Sequence, residues 1–247
     1  MATQYATLGM NRTGMGSSPV QSKEMLTGIE EFAPAGGGNE SVISLERVQV
    51  AKGADPLGSV PPPPSLKGMA KAVAERVRGK SPTLFIDKLG ERLAYERSGV
   101  RLYQALLSKF DASGSFTAGP TRSELVEHLE QEHAHFMLLV NTVTNIGADP
   151  TVMTPSADLS AQIGKGAVEV LMDPRTTLAQ CLEAMLVIEL TDNDCWMALS
   201  QLASEAGEDQ LSKHFLVALG HEQRHLMRIR AWVAASLELK AALSAAK

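Results

Sequence analysis

The chain has 247 residues, 44% of them hydrophobic and 4% aromatic, and a net charge of −5 at pH 7. This length suffices for one large domain with extensions, and the acidic balance argues against a nucleic-acid-binding protein, whose surface is usually basic. The two cysteines, Cys181 and Cys195, lie too far apart on one predicted helix to pair with each other, which favours a reducing cytoplasm. Because no long apolar stretch occurs and the N-terminus is polar, we expect neither a membrane span nor a secretory signal.

Residues 1–65 differ from the rest of the chain because they are rich in glycine, serine, threonine and proline and show no sustained hydrophobic period. This composition predicts an N-terminal arm that is disordered or wraps a partner. Within it, the run from Pro61 to Pro64 predicts a stiff extended spacer. The β-branched residues in the stretch 41–50 favour local pairing or docking.

Residues 66–80 carry apolar side chains at helical spacing, with lysines and arginines around them. They predict a short amphipathic helix that lies on the domain that follows. Attachment to a membrane surface or to an anionic partner is the alternative for a basic helix of this kind.

Residues 81–247 are predicted to form one all-helical domain, in which strand signals are nearly absent. Helix start signals occur at Ser81-Pro82 and at Pro120-Thr121, where Glu124 completes a capping box. The connection between the second and third helices is long and carries a helical piece near 156–171. The four main helices, named A to D, are predicted at about 82–109, 121–147, 177–205 and 209–242.

Each of these four helices carries a glutamate at the centre of an apolar stripe, where a carboxylate is costly unless it is paired or binds a metal. On helices B and D a histidine follows three residues later and shares that face. The six residues are Glu96, Glu132, His135, Glu189, Glu222 and His225.

Buried ion pairs without metal are the alternative interpretation of these stripes. It is disfavoured because the stripes carry no lysine or arginine apart from Arg92, which we place near an edge. A third Glu-x-x-His pair, Glu130 with His133, points about 160° away from Glu132 around helix B. We interpret Glu130 as solvated and His133 as a flank residue.

The chain also repeats itself. Helices A and C share the order Leu-x3-Leu-x2-Glu-x6-aromatic, which ends at Tyr103 in one and at Trp196 in the other. Helices B and D share their apolar positions around Glu-x-x-His. A twofold helical hairpin would bring all six polar residues to one point.

This doubled pattern resembles the ferritin-like superfamily of di-iron and di-manganese carboxylate proteins, over roughly residues 82–245. The resemblance implies an all-α four-helix bundle with a long B–C crossover and, here, an extended N-terminal arm. It implies two metal ions, bridged by Glu132 and Glu222, with Glu96 and Glu189 as further ligands and His135 and His225 capping one ion each. It also implies a homo-oligomer, at least a dimer.

Several neighbouring residues are candidates for supporting roles. Asp192 is expected to accept a hydrogen bond from a ligating histidine, and a solvated aspartate is the alternative. Tyr103 and Trp196 are interpreted as core residues before radical or electron relays, and His128 as a satisfied flank histidine before a gate or transient iron site. Gly99 is expected to leave open space that admits small substrates.

For function, we expect an intracellular di-iron protein that oxidises Fe(II) with O2 or H2O2. A dimanganese protein that disproportionates peroxide, as manganese catalases do, is the first alternative. A non-catalytic interaction module stabilised by metal is the second, and hydroxylation of an organic substrate has no supporting pattern. The ferritin-like fold hosts many activities, so the fold does not choose among them.

Overall fold

A computed structural model of the chain describes residues 19–31, 40–61 and 82–238. These residues are all-helical and contain no strand, as the sequence predicts. The amphipathic helix expected at 66–80, most of the proline run and the end of helix D beyond 238 lie outside the described residues. The described residues form seven helices, which are α1 (Pro19–Glu31), α2 (Glu40–Gly53), α3 (Pro82–Ser113), α4 (Arg122–Asn145), α5 (Pro155–Met172), α6 (Leu178–Glu205) and α7 (Asp209–Ser236).

The described residues up to Asp55 belong to one compact unit and those from Pro56 onward to another. In the first unit, the stretch 41–50 is part of helix α2 and is exposed throughout, so it does not pair as an extended segment. An isolated strand would leave its backbone groups without protein partners, whereas a helix satisfies most of its own.

The predicted helix starts in the second unit agree with the structure. Thr121 caps α4 in a capping box with Glu124, and Thr177 caps α6 in the same way with Gln180. Thr154 caps α5 through a hydrogen bond from the backbone of Ala157. These caps satisfy backbone N–H groups that a helix leaves free in its first turn.

The four long helices form a closed ring of contacts, in which α3 packs on α4 and α6, and α7 packs on the same two helices. Two apolar clusters fill the interior, one around Leu125 and Trp232 and the other around Leu139 and Phe215. On α4, α6 and α7 the glutamate of the predicted site lies between the residues that join one cluster and those that join the other, and on α3 Glu96 lies at the boundary, directly after Tyr95. The site is therefore a polar layer between two apolar layers.

The same clusters give the direction of each helix. Both α4 and α6 begin in the cluster that contains Leu125 and end in the cluster that contains Leu139, so the connection between them must return along the length of the domain. Helix α5 lies in that connection and packs on α3 and α6. Its N-cap residue, Thr154, donates a hydrogen bond of 3.0 Å to the carbonyl of Asp87 on α3. The predicted crossover thus forms one wall of the domain.

Candidate metal centre

The structure brings the six residues predicted from the sequence to one place. Glu96, Glu132, His135, Glu189, Glu222 and His225 are all buried, and none exposes more than 3% of its surface. Their ligand atoms form overlapping sets, together with Asp192, in which all atoms lie within 4.8 Å of one another. Glu222 belongs to all three sets, and Glu96 and Glu132 each belong to two, so Glu222 is the residue that the three sets share.

Most of the side-chain oxygen and nitrogen atoms in this cluster that could bind a metal have no hydrogen-bond partner. In the described part of the chain, buried side-chain nitrogen and oxygen atoms without a partner occur only on the six residues and on Arg92 and Asp192. An unpartnered buried carboxylate oxygen costs about 1–3 kcal/mol or more. Such a concentration of unsatisfied acceptors in one layer is the arrangement that bound cations would satisfy.

The orientation of His225 turns one ring nitrogen into the cluster. Its Nε2 donates to Oε1 of Gln131 at 2.7 Å, because an amide oxygen can only accept. In the neutral ring, Nδ1 then carries a lone pair and faces three carboxylates, with Glu222 Oε2 nearest at 3.2 Å. A lone pair that faces carboxylate oxygens is repelled unless a proton or a cation lies between them.

His135 has an equivalent arrangement on the other side. Its Nε2 lies 3.0 Å from Nδ1 of His221, and its Nδ1 lies 2.7 Å from Glu222 Oε1 without the angle of a hydrogen bond. Gln131 and His221 each directly precede the glutamate of a Glu-x-x-His pair, and each holds the histidine of the opposite helix. Neither residue is predicted from the sequence, although both occupy the same position in the repeat.

Asp192 accepts no hydrogen bond from His135 or His225, whose Nε2 atoms lie against His221 and Gln131, so that expectation is wrong. Its Oδ1 lies 2.7 Å from Nη2 of Arg92, whose Nε donates to Glu96 Oε1 at 3.1 Å. Arg92 is 1% exposed and therefore lies in the core rather than at an edge. Its guanidinium stacks on the ring of Tyr95 at 4.4 Å, which explains how the core accepts the cation.

Tyr103 and Trp196 are core residues, as expected, and each also contacts the cluster. The hydroxyl of Tyr103 on α3 donates to Glu189 Oε1, and the indole N–H of Trp196 on α6 donates to Glu96 Oε1 at 2.9 Å. Each aromatic residue of the repeat thus orients the glutamate of the other helix.

His128 is a buried flank histidine with two partners. Its Nε2 lies 3.2 Å from the guanidinium of Arg228, which can only donate, so Nδ1 carries the proton and lies 3.1 Å from the Tyr103 hydroxyl. Burial, with the nearby His225 and Arg228, lowers the pKa of His128 to about 2. No candidate metal set includes it. It is held neutral against the Tyr103 hydroxyl.

Gly99 does not leave open space. A Cβ atom at this position would lie 2.1 Å from Oε2 of Glu132, so the carboxylate of Glu132 fills the room beside the glycine. Any larger residue would push that carboxylate away from the cluster. Glu130 and His133 are exposed, in agreement with their interpretation as residues outside the site.

In the metal-free cluster, burial and the neighbouring charged groups shift the pKa values of the carboxyl and histidine side chains. Burial, followed by the neighbouring carboxylates, raises the pKa of Glu132 and of Glu189 well above the usual range. Burial alone would lower the pKa of His135, but Glu222 and Glu96 outweigh it and raise this pKa to about 9. His135 and His225 in turn lower the pKa of Glu222 against the effect of burial. Without metal, the cluster must hold protons in place of cations.

Comparison with known proteins adds no assignment: no model of a protein family, no curated protein and no solved structure matches the chain. No helix in the described part of the chain combines the length and apolar character that a membrane crossing requires. The cluster of buried carboxylates and histidines is therefore the feature that points to a function.

Proposed function

We propose that this chain is a ferritin-like di-iron carboxylate protein that oxidises Fe(II) with O2 or peroxide. The observation that carries the proposal is the layer of buried donor atoms without partners, formed by four glutamates and two histidines from four helices. This is the ligand set with which helical bundles hold two metal ions.

Three features support two ions rather than one. Glu222 belongs to every candidate set, so it is suited to bridge two ions, and Glu96 and Glu132 each connect two of the sets. The four glutamate carboxylates balance the charge of two divalent cations, since Asp192 is paired with Arg92. Gly99 on α3 gives the carboxylate of Glu132 the room it needs to reach the cluster.

Carboxylate and imidazole ligands suit iron, manganese or zinc, and a shared six-residue set favours iron or manganese over structural zinc. Two adjacent ferrous ions would supply the two electrons that O2 or H2O2 accepts. The residues of the chain position and shield that chemistry. Gln131 and His221 hold the rings of His225 and His135 in orientation through contacts with Nε2. The two apolar layers exclude water on either side of the cluster.

Metal content in protein purified from its native host is the first test of the proposal. About two irons per chain are expected, the count that the six residues imply. Two manganese ions, with oxygen release from H2O2, would replace the proposal with the dimanganese alternative. Absence of metal, with none taken up on incubation, would refute both.

Aerobic oxidation of Fe(II) tests the activity. The wild-type protein is expected to accelerate it, and Glu132→Ala/Glu222→Ala is expected not to. Glu130→Ala is the matched control, because Glu130 lies two residues from Glu132 on the same helix but is exposed. Equal rates in the wild type and the double variant would refute the proposed activity.

A further inference from the structure

A cavity of about 240 Å³ lies between α3, α5 and α6, apart from the metal centre. Its buried wall is formed by Tyr95, Leu102 and Ile188, which expose 7%, 2% and 6% of their surfaces. On α5 the lining residues include Gly164, where an added Cβ would meet no atom within 4 Å. The cavity therefore has an apolar wall and, at Gly164, room for a side chain on α5.

The open end of this cavity is positively charged. Arg97 and Lys165 line it and are exposed, and no acidic residue is among the lining residues. Within the described residues Arg97 has no ion pair, and Lys165 reaches only the exposed Glu169, at 3.5 Å. The cavity thus combines two cations at its exposed end with an apolar interior.

We propose that this cavity binds a small monocarboxylate with a linear aliphatic tail. The carboxylate would lie between Arg97 and Lys165, and the tail would lie against Leu102 and Ile188. The apolar wall and the volume of about 240 Å³ suit an aliphatic chain of medium length. Burial of the tail supplies affinity, and the two cations select the anionic head group.

Octanoate is the probe that tests the proposal on the full-length protein. Saturable binding is expected in calorimetric titration, with NMR cross-peaks between octanoate methylene protons and the side chains of Leu102 and Ile188. Octylammonium carries the same tail with the opposite charge and is expected to bind at least about tenfold more weakly. Binding is expected both with and without metal in the cluster, so the test does not depend on the proposed oxidase activity.

Two helix variants separate cavity filling from a general effect on α5. Gly164→Leu places a side chain in the empty space and is expected to weaken octanoate binding at least about tenfold, while raising helix propensity. Gly166→Leu is the matched control, because Gly166 is exposed on the same helix and does not line the cavity. It is expected to bind octanoate like the wild type.

The head-group site is tested with Arg97→Gln/Lys165→Gln, which is expected to lose octanoate affinity by a similar factor. Three results would each overturn the proposal: no saturable binding of octanoate to the wild type, equal binding to Gly164→Leu, or equal affinity for octylammonium.

Discussion

The variant Gly99→Ala tests whether the carboxylate of Glu132 must keep its position for metal to bind. Gly99 is buried within α3, and a Cβ atom there would lie 2.1 Å from Oε2 and 2.9 Å from Cδ of Glu132. Ordinary contacts begin at 3.4 Å, so Oε2 must retreat from 2.1 to 3.4 Å, or by about 1.3 Å. Metal–ligand distances vary by only about 0.2 Å. The shift would therefore remove Glu132 from bonding range.

The methyl group that Gly99→Ala adds should have opposite effects on the stability of the metal-free fold and on the affinity for metal. In the metal-free protein, alanine in place of a helical glycine stabilises the fold by about 0.5–1 kcal/mol, and the end of a glutamate side chain can move aside. In the metal-loaded protein, loss of a ligand should cost at least as much as loss of a supporting contact. That cost is about 10–100-fold in metal affinity, or about 1.4–2.8 kcal/mol.

Anaerobic titration with Fe(II) or Mn(II) in the presence of a competing chelator measures the affinity, and thermal unfolding of the metal-free protein measures the fold. Gly166→Ala is the control, because it makes the same substitution on a helix with open space beside it. If Gly99→Ala binds metal as tightly as the wild type, the assignment of Glu132 as a ligand fails.

Three further predictions concern the groups around the ligands. Arg92→Met removes the partner of both Asp192 and Glu96 and should lower the free energy of unfolding by about 3–5 kcal/mol at neutral pH, measured by urea unfolding. Adding Asp192→Asn should recover part of this loss, and a single variant as stable as the wild type would contradict the prediction. Gln131→Leu removes the acceptor of a ligating histidine and should weaken metal binding about 10–100-fold, whereas Gln131→Glu keeps an acceptor and should bind as the wild type does. Because the pKa values of Glu132 and Glu189 are raised above 4.5, the folded metal-free chain holds protons that the unfolded chain has released, so its stability should fall as pH rises above about 4.5. Metal binding should release these protons, and metal affinity should therefore increase with rising pH. Proton uptake on metal binding, measured in a weakly buffered titration, would contradict this prediction.

The helices and the central residues could be predicted from the sequence because their signals are local. The capping box of Thr121 with Glu124 spans four residues, and its geometry hardly depends on the rest of the chain. Helical periodicity likewise places Glu96 and Glu189 on buried faces without knowledge of what lies opposite. Because helices A and B repeat as helices C and D, the sequence also predicted that the buried faces of the two pairs would meet.

The contacts between helices could not be predicted in the same way. Periodicity placed Arg92 near an edge, but its position in the core depends on Asp192, which comes from a different helix and 100 residues later in the chain. The space beside Gly99 seemed open because the residue that fills it, Glu132, also belongs to another helix. A pattern on one helix gives the direction of a side chain and says nothing of what occupies the space it faces.

The twofold repeat and its exceptions have separate consequences for the site. Matching positions supply matching ligands, and even the supporting hydrogen bonds of Tyr103 and Trp196 cross between helices in the same sense. The position three residues after the lone glutamate breaks the match, since it is Gly99 on α3 and Asp192 on α6. On one helix it gives room to a carboxylate from α4, and on the other it adds a carboxylate that requires Arg92. Arg92 lies beside Glu96, whereas the corresponding position on α6 is Met185, so the charged groups around Glu96 and Glu189 are arranged differently. The repeat therefore accounts for the matching residues in the two halves of the cluster, and the exceptions account for the differences between these halves.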